Sequence, residues 1–143
     1  MIEYKNTAAD YAKMSIVHFF VGLIKADAGL SKAEIEKIKI IIYKMDRGLP
    51  VKYPDIKPAL EQMASDEDYK LWKPELHLEK AFYFLDRFHA MPAYRKEHLA
   101  ALWSFMEVVM EVGEITQGEK VYMDRVMQTF RESYGVEIVA SVA

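Results

Sequence analysis

The chain has 143 residues, of which 52% are hydrophobic and 29% charged, and its formal net charge is -3. This length fits a single domain with its own core, covering residues 1–143. The small negative charge argues against a nucleic-acid partner, because phosphate binding needs a clustered basic surface. With no cysteine, disulfides, thiolate metal sites and thiol nucleophiles are all excluded.

The first predicted element is a long helix that begins at a cap on Asn6 or Thr7 and runs to about Lys25. Its apolar residues cover nearly the whole circumference, which is typical of a helix at the centre of its fold. Residues 1–6 lack the basic start and apolar core of a signal peptide. No apolar stretch reaches the ~20 residues that span a bilayer. These features predict a soluble, cytoplasmic protein without a membrane span.

A turn and a second helix follow. Ser31 and Glu34 have the spacing of a capping box, in which the hydroxyl and the carboxylate each bind a backbone N–H. Leu30 and Ile35 flank this box at the spacing of a hydrophobic staple. The helix is predicted from about Lys32 to Asp46, and Gly48 is well placed for the left-handed conformation after its end.

Residues 49–91 are punctuated by prolines, so their helices are predicted to be short or to begin at a proline. Asp55 is predicted to cap a helix that runs to about Ala64, with Pro58 in its first turn. The acidic run at 66–68 suits a helix N-terminus. A longer helix is predicted from Pro74 to Met91.

The last third repeats the first. A helix is predicted from near Pro92 to Met110, and after a turn the last helix spans Gln117–Ser133, closed by Gly135. Thr116 and Glu119 form a second capping box. The apolar tail, residues 136–143, fits a strand, a segment docked on the core or a frayed end. The apolar positions of the two capped helices correspond as Ile38/Met123, Ile41/Val126, Ile42/Met127 and Met45/Phe130.

The two turns carry a family resemblance. An apolar helix, a turn of the form Asp-Gly-x-(Ile/Leu)-(Ser/Thr)-x-x-Glu and an amphipathic helix, used twice, resemble the TerB-like family, which is named for tellurite resistance. The pattern is also similar to a helical domain of membrane-anchored J-domain co-chaperones. The first turn has Asp27 but displaces the glycine to Gly29; the second has Gly113 in register but Val112 in place of the aspartate. The capping residues match in both turns.

The resemblance implies an all-α fold of about six or seven helices with two pseudo-repeated helix hairpins. It also implies a binding or regulatory role in a stress or envelope response. Family members have been proposed to bind metal ions through acidic residues near these turns. The corresponding candidates in this chain are Asp27, Glu34, Glu111, Glu114 and Glu119.

The acidic stretch around the second turn is the best cation candidate on residue chemistry alone, because calcium prefers several oxygen ligands from a flexible loop. We expect at most weak calcium binding, with a Kd of about 0.1–1 mM. The alternative is that Glu119 caps its helix while the other carboxylates are a solvated surface. Neither turn has the ligand spacing of an EF-hand.

Other site chemistries have little support in the residues. His18 lies in the apolar first helix and is predicted to be a core histidine, and no close histidine pair suggests zinc. Asp86 and His89 share a helix face, but a di-iron bundle needs a Glu-x-x-His on each of two helices. Neither a Gly-x-Ser-x-Gly elbow nor a phosphate loop is present. Aromatic residues of the middle segment fit either the core or a pocket: Tyr53, Tyr69, Trp72, Phe82, Tyr83, Phe84, Phe88 and Tyr94.

Together these features predict a non-enzymatic binding or regulatory module without a resident cofactor, whose partner is an unknown protein or a second copy of itself. The first alternative is a divalent-cation sensor that uses the acidic turn at 111–119. The second is an enzyme with a pocket among the middle aromatics, for which no acid–base or nucleophile arrangement is visible.

Overall fold

The computed structural model describes residues 7–27, 31–44 and 48–138. This part of the chain is all-helical, as predicted. Its helices are α1 (Ala8–Ala26), α2 (Lys32–Tyr43), α3 (Tyr53–Ser65), α4 (Glu67–Lys70), α5 (Pro74–His89), α6 (Lys96–Met110) and α7 (Gln117–Tyr134). None of the described helices combines the length and the apolar character needed to cross a membrane.

Helix α1 forms the centre of the core, as its all-round apolar sequence predicts. Residues 14–23 are all buried, and Phe19 and Phe20 are completely so. Helix α5 packs along α1 more extensively than any other described helix does, and α3, α6 and α7 pack against the rest of α1. Burial of an aromatic or large aliphatic side chain contributes about 1.5–3 kcal/mol, so α1 supplies much of the hydrophobic stabilisation.

The predicted caps of α1, α2 and α7 are confirmed. Thr7 caps α1, and its hydroxyl accepts a hydrogen bond from the Asp10 backbone. Both capping boxes, Ser31 with Glu34 and Thr116 with Glu119, are complete in both directions. After α7, Gly135 adopts the left-handed conformation, with φ 63°. Gly48 also has positive φ, as predicted, but Leu30 and Met45 lie outside the described residues.

Several predicted helix ends are wrong. Helix α3 begins at Tyr53 with Lys52 as its cap, not at Asp55. Pro54 explains the earlier start, because a proline in the first turn loses no intrahelical bond; Pro58 then falls inside the helix instead of in its first turn. Helix α2 ends at Tyr43, short of Asp46.

Differences also occur around the predicted start of the second copy. Helix α5 ends at His89 and α6 begins only at Lys96, so Pro92 lies in a turn rather than at a helix start. The Arg95 guanidinium donates to the Pro92 carbonyl oxygen at 2.7 Å. That bond stabilises a turn conformation in which the helix starts later. Helix α7 continues one residue past Ser133 to Tyr134.

The C-terminal tail docks on the core, one of the three alternatives, as far as it is described. Val136 and Ile138 are both 5% exposed, and residues 139–143 lie outside the described part.

The middle aromatics mostly pack in or against the core. Phe88 is buried, and the Phe82 ring makes an edge contact with Phe19 at 5.2 Å between centroids. Tyr83 is exposed, and the Tyr53 side chain is not among those described.

Candidate functional site

A cleft of about 300 Å³ lies where the end of α1 meets the starts of α5 and α7. Its apolar lining includes Leu78, Val121 and Tyr122. Charged groups reach it from all three helices, with Lys25 on α1, Glu75 on α5 and Arg125 on α7. Apolar surface with a few convergent polar groups is the usual composition of a small-molecule site.

Two small residues allow these helices to meet. A Cβ atom added to Gly118 would overlap the Ala26 carbonyl oxygen, so glycine allows the start of α7 to touch the end of α1. At Gly22, an added Cβ atom would overlap the Tyr122 hydroxyl. That hydroxyl instead donates to the Phe19 carbonyl oxygen at 2.8 Å. Close backbone approach is a general reason for glycine inside a helix contact.

A buried carboxyl pair joins the same two helix ends. Asp27, directly after α1, is 6% exposed and Glu119, in the first turn of α7, is 2% exposed. Their carboxyl groups share a hydrogen bond, which requires a proton between them. The pKa of Glu119 is raised to about 7. Burial is the largest cause, the hydrogen bond from the Thr116 backbone opposes the rise, and the Asp27 carboxyl adds to it. The pair therefore holds a proton close to neutral pH.

The structure brings together only two of the five predicted metal ligands, Asp27 and Glu119. Glu34 binds the Ser31 backbone in its own capping box. Glu111 and Glu114 are exposed. Within the described ranges, no group of three or more His, Asp or Glu side chains is arranged to hold a metal ion. Of the carboxylates of the second turn, only Glu119 contacts the first turn, through Asp27. Cation binding at the second turn stays a prediction.

A second polar cluster was missed at the sequence level. The Nδ1 atoms of His18 and His77, which are far apart in the sequence, are 3.1 Å apart in the structure. His77 Nε2 is 2.9 Å from Lys25 Nζ. His18 is 2% exposed and His77 is fully buried. These three groups form what we call the Lys25–His77–His18 chain, which starts at a residue that also lines the cleft.

Burial determines the protonation of this chain. The pKa of His18 is lowered to about 4, mainly by burial and in smaller part by the nearby Lys80 and Lys25 charges. Burial also lowers the pKa of His77 to about 3, with contributions from Lys25 and His18. Burial lowers the pKa of Lys25 as well. Both imidazoles are therefore neutral at neutral pH, and His18 is the core histidine that was predicted.

Helix spacing alone gives no sign of either pairing. His18 and His77 belong to different helices, as do Asp27 and Glu119, so each pair depends on how the helices cross. A buried polar group needs a hydrogen-bond partner, and a histidine within an apolar helix was the one signal that a partner existed.

Comparison with family models, characterised proteins and solved structures finds no match to this chain.

Proposed function

We propose that this protein is a non-enzymatic binding module that holds a small molecule in the cleft between α1, α5 and α7. The observation that carries the proposal is the cleft itself, with about 300 Å³ of space, an apolar lining and charges from three helices. The polar groups favour an amphiphilic ligand, in which a charged group pairs with Arg125 or Glu75 while apolar atoms contact Leu78 and Val121. Occupancy would tie together the ends of three helices.

The resemblance of the turns to TerB-like proteins supports a regulatory role in a stress response and an arrangement as two pseudo-repeated hairpins. Both capping boxes agree with that reading. In such a role, ligand occupancy of the cleft would be read by a protein partner or a second copy of the chain. These assignments are part of the proposal.

The two alternatives have less support. An enzyme pocket among the middle aromatics has less support, because none of these residues belongs to the described lining of the cleft. A calcium sensor would have to use the buried Asp27–Glu119 pair, since the other carboxylates of the second turn, Glu111 and Glu114, are exposed. Calorimetric titration with calcium, in the wild type and in a Glu114→Gln/Glu119→Gln variant, tests that alternative. Heat that the double variant abolishes would support it.

A thermal-melt panel tests the proposed function. Its probes are inorganic phosphate, small mono- and dicarboxylates, free amino acids, calcium and magnesium. A 1 mM probe with a Kd of about 0.1 mM stabilises the folded state by about 1.4 kcal/mol, which raises Tm by roughly 3–5 °C for a domain of this size.

Two tryptophan variants locate the binding site. Val121 lines the cleft and is 52% exposed, whereas Val108 on α6 is 45% exposed and lies outside the cleft lining. Val121→Trp fills the cleft, and Val108→Trp adds the same side chain elsewhere. We expect an organic or phosphate probe to raise Tm in the wild type and in Val108→Trp but not in Val121→Trp. A panel in which no probe raises Tm, or a rise that survives in Val121→Trp, contradicts the proposal.

A further inference from the structure

Residues 66–73, which we call the strap, comprise α4 and its flanks. The strap contributes no buried residue to the core, and Leu71 within it is 89% exposed. Two of its carbonyl oxygens, those of Tyr69 and Trp72, accept hydrogen bonds from Lys25 Nζ at 2.8 and 3.0 Å. Its attachment to α1 therefore runs through the end of the Lys25–His77–His18 chain.

The strap also supplies two half-buried rings that cover His18. The Trp72 ring stacks on the His18 imidazole with 5.7 Å between centroids and an interplanar angle of 13°. Tyr69 makes an edge contact with the same imidazole at 6.0 Å. On its other side His18 stacks on Phe84 of α5. The strap rings thus cover the His18 end of the Lys25–His77–His18 chain, and the strap carbonyls bind its Lys25 end.

Hydrogen-bond accounting limits the chain to one positive charge. Each of its two links, Lys25 Nζ to His77 Nε2 and His77 Nδ1 to His18 Nδ1, needs one hydrogen and one lone pair. With a charged Lys25, His77 must accept at Nε2 and donate from Nδ1, so His18 must accept at Nδ1. If a second group becomes charged, two N–H groups face each other at one of the links, and that link must break.

The surroundings offer little compensation for a second charge. The charged groups that act on the two histidines are Lys25 and Lys80, both positive. The phenol groups nearby belong to Tyr69 and to Tyr122, whose ring on α7 lies beside Gly22 and His77. Asp66 and Asp68 act on Tyr69, within the strap itself. A protonated histidine in this position therefore needs water.

We propose that residues 66–73 are a proton-released strap: a second positive charge on the Lys25–His77–His18 chain breaks a link and frees the strap while the helical core stays folded. Moving the half-buried strap rings admits water to His18 without displacing α1 or α5. This proposal goes beyond the proposed function and does not depend on what the cleft binds.

The protein has two tryptophans, and their fluorescence distinguishes release of the strap from unfolding of the core. Trp103 on α6 is buried in the core, whereas Trp72 lies in the strap. A Trp103→Phe variant reports on the strap, and a Trp72→Phe variant reports on the core. On acidification we expect the Trp72 emission to shift to the red at least one pH unit above the loss of Trp103 emission and of the helical circular-dichroism signal. Hydrogen exchange at residues 66–73 should accelerate over the same pH range as the Trp72 shift.

Histidine variants in the Trp103→Phe background identify the trigger. His18→Phe with His77→Gln removes both titrating groups and keeps a ring between Trp72 and Phe84. His89→Gln with His98→Gln, which removes the other two of the four histidines, is the matched control. The first variant should lose the early Trp72 transition, and the control should keep it.

Three results would overturn the proposal. One is a Trp72 transition that coincides with core unfolding. Another is quenching of Trp72 without a red shift or faster exchange, which would mean that His18 is protonated in place. The third is an early transition that persists without His18 and His77. Should that double variant fail to fold, the comparison of Trp72 with Trp103 in the chain with all its histidines still decides.

Discussion

Replacing Glu119 with glutamine should change how the stability of this protein depends on pH. Glu119 is buried, shares a hydrogen bond with Asp27 and has a pKa of about 7 in the folded state. Its pKa in an unfolded chain is about 4.3. Between these values the folded state binds more protons than the unfolded state, so this group stabilises the fold as the pH falls and loses that contribution as the pH rises through 7.

The magnitude follows from linkage, at about 1.4 kcal/mol per pKa unit. From pH 7 to pH 5, Glu119 adds about 2 kcal/mol of stability. His18 and His77 act in the opposite direction, because their pKa values, about 4 and about 3, lie below those of the unfolded chain. Each removes about 2 kcal/mol over the same interval. The wild type should therefore lose about 2 kcal/mol from these three groups, and Glu119→Gln about 4 kcal/mol.

Urea melts at pH 7, 6 and 5, followed by circular dichroism at 222 nm, measure the difference. The matched control is Glu34→Gln, which makes the same substitution in the exposed capping box of α2. Its pH dependence should follow that of the wild type, while the Glu119→Gln curve diverges by about 2 kcal/mol at pH 5. Parallel curves for all three proteins would refute the assignment of a shared proton to the Asp27–Glu119 pair.

Four further substitutions test the caps and the packing by denaturant melts. Ser31→Ala and Thr116→Ala should each cost about 1 kcal/mol, because each removes the acceptor for a backbone N–H in the first helical turn; melts that overlay on the wild type would contradict the caps. Gly118→Ala should destabilise by about 1–3 kcal/mol, because the added Cβ atom would overlap the Ala26 carbonyl oxygen. Helix propensity alone predicts a gain of up to about 1 kcal/mol instead, so a measured gain would contradict this contact. Ser15→Ala should cost about 1 kcal/mol through loss of the buried 2.8 Å bond to the Ala81 carbonyl oxygen, and an unchanged stability would be the contrary result.

Local signals predicted most of what is local in this fold. The capping boxes at Ser31 and Thr116 and the left-handed Gly135 depend only on residues within one turn of each other, and all are present. The start of α3 was misplaced because two start signals, Pro54 and Asp55, compete within adjacent residues. At Pro92 a favourable first helical residue lies in a turn, where Arg95 binds its carbonyl oxygen instead.

The sites could be predicted only in part. Asp27 and Glu119 were both candidates, but not as a pair, because their contact requires α1 and α7 to approach through Gly118. His77 was not singled out at all. Its role appears only when α5 packs along α1 and places it between His18 and Lys25. Side-chain pairs across helices depend on crossing geometry, which a single sequence does not encode in its local pattern.

The central claim is that the cleft between α1, α5 and α7 is the binding site, and amide chemical-shift mapping tests it most directly. The same phosphate, carboxylate and amino-acid probes are titrated into labelled protein. We predict saturable shifts concentrated at Ala26, Leu78, Gly118 and Val121, which line the cleft. Shifts that cluster instead around Val108 on α6, or spectra that no probe changes, would contradict the claim.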